Sequence, residues 1–127
     1  MKLGKISEAE REIMKIIWEK NEQITTAEVL EKLPKENSWK TTTVMTLISR
    51  LVEKGILSVE KIGKLNHYSP KISEEEYKAI QTDDFLEDMH KGSVKNFMAT
   101  LFNHKKLSSK DISELKDWLE SIMERLY

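Results

Sequence analysis

The hydroxyls and the one guanidinium between Thr41 and Arg50 are the side chains of this 127-residue chain whose types and spacing suit a recognition chemistry. Val44, Leu47, Ile48, Leu51 and Val52 recur at i, i+3, i+4, i+7 and i+8, which is one stripe of an α-helix. The opposite face then carries Thr42, Thr46, Ser49, Arg50 and Glu53, with Thr43 and Met45 on its flanks. A helix face meant only for water usually mixes Glu and Lys in pairs. Three consecutive β-branched Thr residues are mediocre helix formers, so this face is an odd choice for stability alone. It suits a helix pressed against nucleic acid, where Thr bonds phosphate or base edges, its methyl touches thymine and Arg reads guanine. The bland alternative is an amphipathic helix that serves only the core. Met45 stays open between the two, since its spacing from Val44 and Ile48 also fits the interior.

Other chemistries find little support. His67, His90 and His104 stand singly, with none at the i, i+4 spacing of a helical metal pair. The acidic runs Glu74-Glu75-Glu76 and Asp83-Asp84 with Glu87-Asp88 lack a glycine-turned loop of alternating oxygens and read as helix N-terminal charges. No nucleophile elbow, phosphate-cradling loop or dinucleotide fingerprint occurs. The chain has no cysteine, hence no disulfide or thiolate metal site. Neither an enzyme nor a bound metal or cofactor is expected.

The elements that must position the Thr/Arg face follow from caps and periodicity. Ser7-x-x-Glu10 has capping-box spacing and opens a helix to about Asn21, with Ile13, Ile16 and Ile17 inward and Trp18 packing beside them. Thr25-x-x-Glu28 opens a short second helix with Val29, Leu30 and Leu33 inward, ended by Pro34. Lys35 to Ser38 form a polar turn, and Trp39 anchors the start of the third helix. Gly55 sits where a C-terminal cap belongs. Leu57–Ile62 and Leu65–Ser69 are strand-like runs around Gly63-Lys64, closed by Pro70. Three helices and a basic hairpin in this order predict a winged helix-turn-helix over residues 1–71.

Charge agrees in place more than in size. The net charge is −1, which is no general footprint of a nucleic-acid binder. Residues 38–70, however, hold Lys40, Arg50, Lys54, Lys61 and Lys64 against Glu53 and Glu60 only. Met1 to Lys5 lack an apolar signal core and no stretch approaches a membrane span, so a cytoplasmic protein without stable membrane association is expected.

From residue 72 the character changes. Ser73-x-x-Glu76 caps a long charged helix to about His90, anchored by Tyr77, Ile80, Phe85 and Met89, with a restart at Thr82-Asp83-Asp84. Gly92 breaks it. Val94, Phe97, Met98, Leu101 and Phe102 make a short apolar helix, followed by the polar link Asn103-His104-Lys105-Lys106. Ser108-x-x-Asp111 caps a last helix in which Ile112, Leu115, Leu119, Ile122 and Leu126 form a heptad seam, broadened by Trp118 and Met123. Three thin helices cannot bury these faces alone, so residues 72–127 are expected to be a helical dimerisation domain. Folding back over the head is the alternative.

Taken together, Ser7-x-Ala9-Glu10 through Met14-x-Ile16-Ile17-Trp18, the block Trp39–Gly55 and the wing from Gly63-Lys64 to Tyr68 resemble the BlaI/MecI repressors of β-lactamase and methicillin-resistance genes, with their copper-responsive relatives. The resemblance covers essentially the whole chain. It implies a mainly α fold with a small β-wing, a three-helix C-terminal dimerisation domain, and a homodimeric repressor on a palindromic double-stranded operator. Lys40, Thr42, Thr43, Met45, Thr46 and Arg50 would face the DNA from the third helix, and Lys61, Gly63 and Lys64 from the wing. Val94, Phe97, Met98, Leu101, Ile112, Leu115, Leu119, Ile122 and Leu126 would form the dimer contact. In the β-lactam branch a sensor-linked protease relieves repression by cutting an Asn–Phe bond in the short apolar helix. Here Phe102 matches the Phe but follows Leu101, and the nearest Asn-Phe pair is Asn96-Phe97. The cysteine-rich tail of the copper branch is absent. A small-molecule-sensing winged-helix regulator of another stress operon, and a winged helix used only for protein contacts, are the competing readings.

Overall fold

The structure, a computed structural model, describes residues 5–104 and 106–127. Met1 to Gly4 of the N-terminal reading and Lys105 of the expected polar link lie outside the described residues. The element order is α1 (Glu8–Lys20), α2 (Thr26–Lys32), α3 (Thr41–Glu53), β1 (Leu57–Ile62), β2 (Leu65–Pro70), α4 (Glu74–His90), α5 (Val94–His104) and α6 (Ser109–Leu126). It is mainly α with one two-stranded antiparallel sheet, and the chain divides into two compact units, Met1–Ala79 and Ile80–Tyr127.

In the first unit, local sequence and packing agree. Ser7 and Thr25 close complete capping boxes with Glu10 and Glu28, which satisfies N–H groups that a helix start otherwise leaves unpaired. Ile13, Met14, Ile16 and Ile17 of α1, Val29 of α2, and Val44, Leu47, Ile48 and Leu51 of α3 then meet in one core with Ile24, Ile56, Leu57 and Tyr77. Trp18, Leu30, Leu33, Trp39 and Val52 pack at its margin. The end of α3 is a Schellman motif: Ile56 N–H donates to the Leu51 carbonyl and Gly55 N–H to that of Val52. Gly55 has φ +80° there, a conformation in which glycine carries no Cβ penalty.

The hairpin register pairs Leu57 with Pro70, Val59 with Tyr68, Lys61 with Asn66 and Ile62 with Leu65. An isolated bridge between Ile24 and Tyr68 adds a third edge, with N–H···O distances of 3.0 and 2.8 Å. This ties the wing to the α1–α2 connection, a link absent from the sequence expectation. Trp18 Nε1 donates to the Ile72 carbonyl at 3.0 Å, and its ring lies 5.6 Å from that of Tyr77. The expected boundary at residues 71 and 72 falls just after β2, and the compact unit continues beyond it because Tyr77 on α4 is buried in the core.

Two local expectations are corrected. α4 runs without interruption from Glu74 to His90, so Thr82-Asp83-Asp84 start no new helix. No Gly or Pro breaks the ladder there, and Asp is tolerated in a helix at small cost. α5 extends through His104, which takes Asn103 and His104 out of the expected link. Among the described residues, no helix is long and apolar enough to cross a membrane.

Candidate nucleic-acid interface

The outward face of α3 is held by what lies beneath it. With Val44, Leu47, Ile48 and Leu51 buried, Thr42, Thr43, Thr46, Ser49 and Arg50 are all exposed. Met45 is 52% exposed, which places it on the surface rather than in the core. Thr46 Oγ1 donates to the Thr42 carbonyl at 2.9 Å, so its methyl and lone pairs remain for contacts. Lys40 occupies the N-cap without a side-chain capping bond, unlike the capping residues of α1, α2 and α6.

The wing contributes Lys61, Gly63 and Lys64, all exposed. Gly63 turns the hairpin at φ +64°. Because side chains alternate along a strand, the cross-strand partners Lys61 and Asn66 share one face of the hairpin, and Tyr68 follows on that face. A cleft of about 520 Å³ brings this face together with the two helices. Its walls are Thr25, Thr26, Ala27 and Leu30, then Thr41 and Met45, then Lys61, Lys64, Leu65, Asn66 and Tyr68. Three of the sequence-predicted residues, Met45, Lys61 and Lys64, therefore meet in one concavity. Thr26, Thr41, Leu65 and Asn66 were not anticipated. Asn66 was legible through the strand register opposite Lys61, whereas Thr26 and Thr41 look like ordinary helix starts.

The charge count of the sequence needs one correction. Lys54 does not face outward as a free cation: its Nζ donates to both Glu10 oxygens at 2.8 and 2.9 Å and to the Lys5 carbonyl at 2.7 Å. Burial acts to raise the Glu10 pKa, but the bonds from Lys54 and Ser7 outweigh it and hold the carboxyl below 4.5. Lys20 is paired with Glu28. Among the described residues, no carboxylate pairs with Lys40, Arg50, Lys61 or Lys64, so their charge is unspent. The described residues also contain no group of three His, Cys, Asp or Glu side chains that could hold a metal ion.

In the second unit, α5 and α6 bury no residue at all. Val94, Ile112, Leu119 and Leu126 are exposed, and Phe97, Met98, Leu101, Leu115 and Ile122 are half-buried. Leu101 and Phe102 lie within α5, with Phe102 exposed. Among the described residues of this unit His90 is the buried one; its Nδ1 lies 2.7 Å from Asn96 Oδ1, and its ring stands edge-on to Phe85 and Phe97.

The family model described as "Penicillinase repressor" matches residues 6–121. The chain belongs to this family. Its members are transcriptional repressors rather than enzymes. The chain is 35% identical over 119 residues to the penicillinase repressor of Bacillus licheniformis, covering 94% of this chain and 92% of that protein. It is 30% identical over 118 residues to the methicillin resistance regulatory protein MecI of Staphylococcus aureus, covering 93% and 95%. A solution structure of the DNA-binding domain of the repressor BlaI matches with TM-score 0.52 and 42% identity, over 60% of this chain and 92% of that one. The monomeric form of B. licheniformis BlaI in complex with the blaP half-operator matches with TM-score 0.50 and 41% identity, over the same shares. The winged-helix architecture is thus common to this chain and these repressors.

Proposed function

We propose that this protein is a cytoplasmic, homodimeric transcriptional repressor that binds a palindromic operator of a β-lactamase or related antibiotic-resistance operon. The observation that carries the reading is the α3 surface: hydroxyls and one unpaired Arg facing out, over an underside in which Val44, Leu47, Ile48 and Leu51 are buried. Thr42, Thr43, Met45, Thr46 and Arg50 enter the major groove, where Arg50 reads a guanine edge and the Thr and Met methyls meet thymine. Lys40, Lys61 and Lys64 hold phosphates on either side, with the Gly63 turn bringing the wing close. A BlaI structure bound to a half-operator supports DNA as the partner class.

The apolar faces of α5 and α6 pair with those of a second copy, and two heads then match two half-sites. Relief of repression comes from a sensor-linked protease that cuts at Leu101–Phe102. A helical peptide bond must unwind before it fits a protease cleft.

Selection of duplexes from a random-sequence pool by the full chain tests the reading. The expected product is an inverted repeat, shifted in gels by two chains per duplex. Enrichment of no duplex at low salt would remove DNA reading from the proposal, and enrichment of a single half-site bound by one chain would remove pairing.

A further inference from the structure

We infer that Glu10 is a positioning residue for DNA reading: through Lys54 it fixes the last turn of α3, and with it the setting of Arg50 toward its base. Glu10 is 2% exposed, although it serves as the N3 residue of a capping box, a role that needs no burial. Glu28 and Asp111 hold the same place in α2 and α6, where the first is half-buried and the second exposed. Glu10 differs in depth and in what it holds. Lys54 Nζ donates to its Oε1 and Oε2 at 2.8 and 2.9 Å and to the Lys5 carbonyl at 2.7 Å, so all three ammonium hydrogens are used. Lys54 is the C-cap of α3, and its backbone N–H donates to the Arg50 carbonyl at 2.9 Å. The tie therefore acts about one helical turn from Arg50.

Stability alone does not account for such a pair. Removing a carboxylate and an ammonium from water costs about as much as their attraction returns, and apolar side chains of similar size often do as well. The stripe of Val44, Leu47, Ile48 and Leu51 holds α3 against the core, but apolar contact has no direction and tolerates a small slide or roll. Charge-assisted bonds to both carboxylate oxygens fix distance and angle. The other end of α3 has no such tie, since Lys40 makes no side-chain capping bond. A contact to a base edge must be held to roughly 0.5 Å, and the pair at the last turn supplies that constraint. The inference rests on the DNA reading proposed above and adds to it a residue that is itself buried away from the duplex.

The test measures affinity and base preference of the full chain on the duplex that the unaltered protein selects, at a temperature where melting curves show every variant folded. Glu10→Gln should bind about tenfold more weakly and relax preference at the base pair that Arg50→Ala relaxes. In an Arg50→Ala background the same substitution should change affinity by about twofold or less. Glu10→Met/Lys54→Met separates position from stability: it should melt no lower than Glu10→Gln yet show the same loss of affinity and preference. The first variant uncovers a cation and the second removes one, so charge cannot produce a common loss. A Lys54 that merely attracted phosphate would, once freed in Glu10→Gln, tighten binding and steepen the slope of log K against log salt by about one. That result, unchanged preference in both variants, or an equal loss with and without Arg50 would overturn the inference while leaving the repressor reading intact. Failure of the unaltered protein to select any duplex would overturn both.

Discussion

In the unit Met1–Ala79, isoleucines and leucines from three helices meet one another; in the unit Ile80–Tyr127, side chains of the same kind meet water. Ile13, Ile17, Val44 and Leu51 have no exposed surface, whereas Trp118, Leu119, Met123 and Leu126 are each more than half exposed. Both units use capped amphipathic helices, so helix formation does not separate them. The difference lies in what is available to cover the apolar face. The first unit closes three helices and a hairpin around one core and leaves its polar faces free to act. The second cannot close, because two helices without a buried residue have no second layer. A chain built this way has one unit that is complete and displays a surface, and one whose apolar faces stay open, which the proposed pairing would cover.

The largest effect should follow from breaking the incomplete unit. Leu119→Glu with Leu126→Glu places charges on the proposed seam and should convert dimers to monomers in sedimentation equilibrium. Operator affinity should fall by about 10²-fold or more, since the second head no longer binds as part of the same particle. The thermal transition of the head should remain. A substitution in the complete unit should do the reverse. Leu51→Ala should cost about 3 kcal/mol in urea denaturation followed by tryptophan fluorescence, with the oligomeric state of the folded fraction unaltered.

A smaller effect tests the bond that joins the start of α1 to the end of α3. Glu10→Gln leaves Lys54 with a weaker partner and should cost about 2 kcal/mol at neutral pH. The sign with pH is fixed by the direction of the shift. A carboxyl held below its ordinary value of 4.5 contributes stability that is present above the unfolded pKa and lost as pH falls through the folded one. The gap between unaltered protein and Glu10→Gln should therefore be full near neutrality and shrink below about pH 4.5. Urea melts over that range measure it, and a gap that stayed constant would deny the ion pair a role. The smallest effect belongs to a single phosphate contact: Lys40→Ala should weaken binding by about tenfold or less, uniformly across sequences.

Much of the head was legible because its signals are local. Ser7 with Glu10, Thr25 with Glu28, Ser73 with Glu76 and Ser108 with Asp111 mark helix starts by spacing alone, and each forms the expected pair of bonds. The α3 stripe and the Gly55 cap follow the same logic. What the sequence hid depends on residues far apart along the chain. The Ile24–Tyr68 bridge joins segments that carry no mutual signal. Lys54 reads as a surface cation in the sequence because its partner lies 44 residues away. Thr82-Asp83-Asp84 misled because residues that favour caps are read as caps, although nothing there interrupts the helix. Within the interface, α3 was readable from one periodicity, while the cleft that adds Thr41, Leu65 and Asn66 exists only once the hairpin is folded against α2 and α3.

The most direct measurement is the affinity of Arg50→Ala for the duplex selected by the unaltered protein, taken with both dimeric and at one salt concentration. Arg50 is exposed and pairs with no carboxylate among the described residues, so its loss should leave folding and pairing intact. Two copies each losing a base contact of about 1–3 kcal/mol should lower affinity at least tenfold and relax preference at one base pair in each half-site. Unchanged affinity and unchanged preference would contradict the assignment of the α3 face to the major groove.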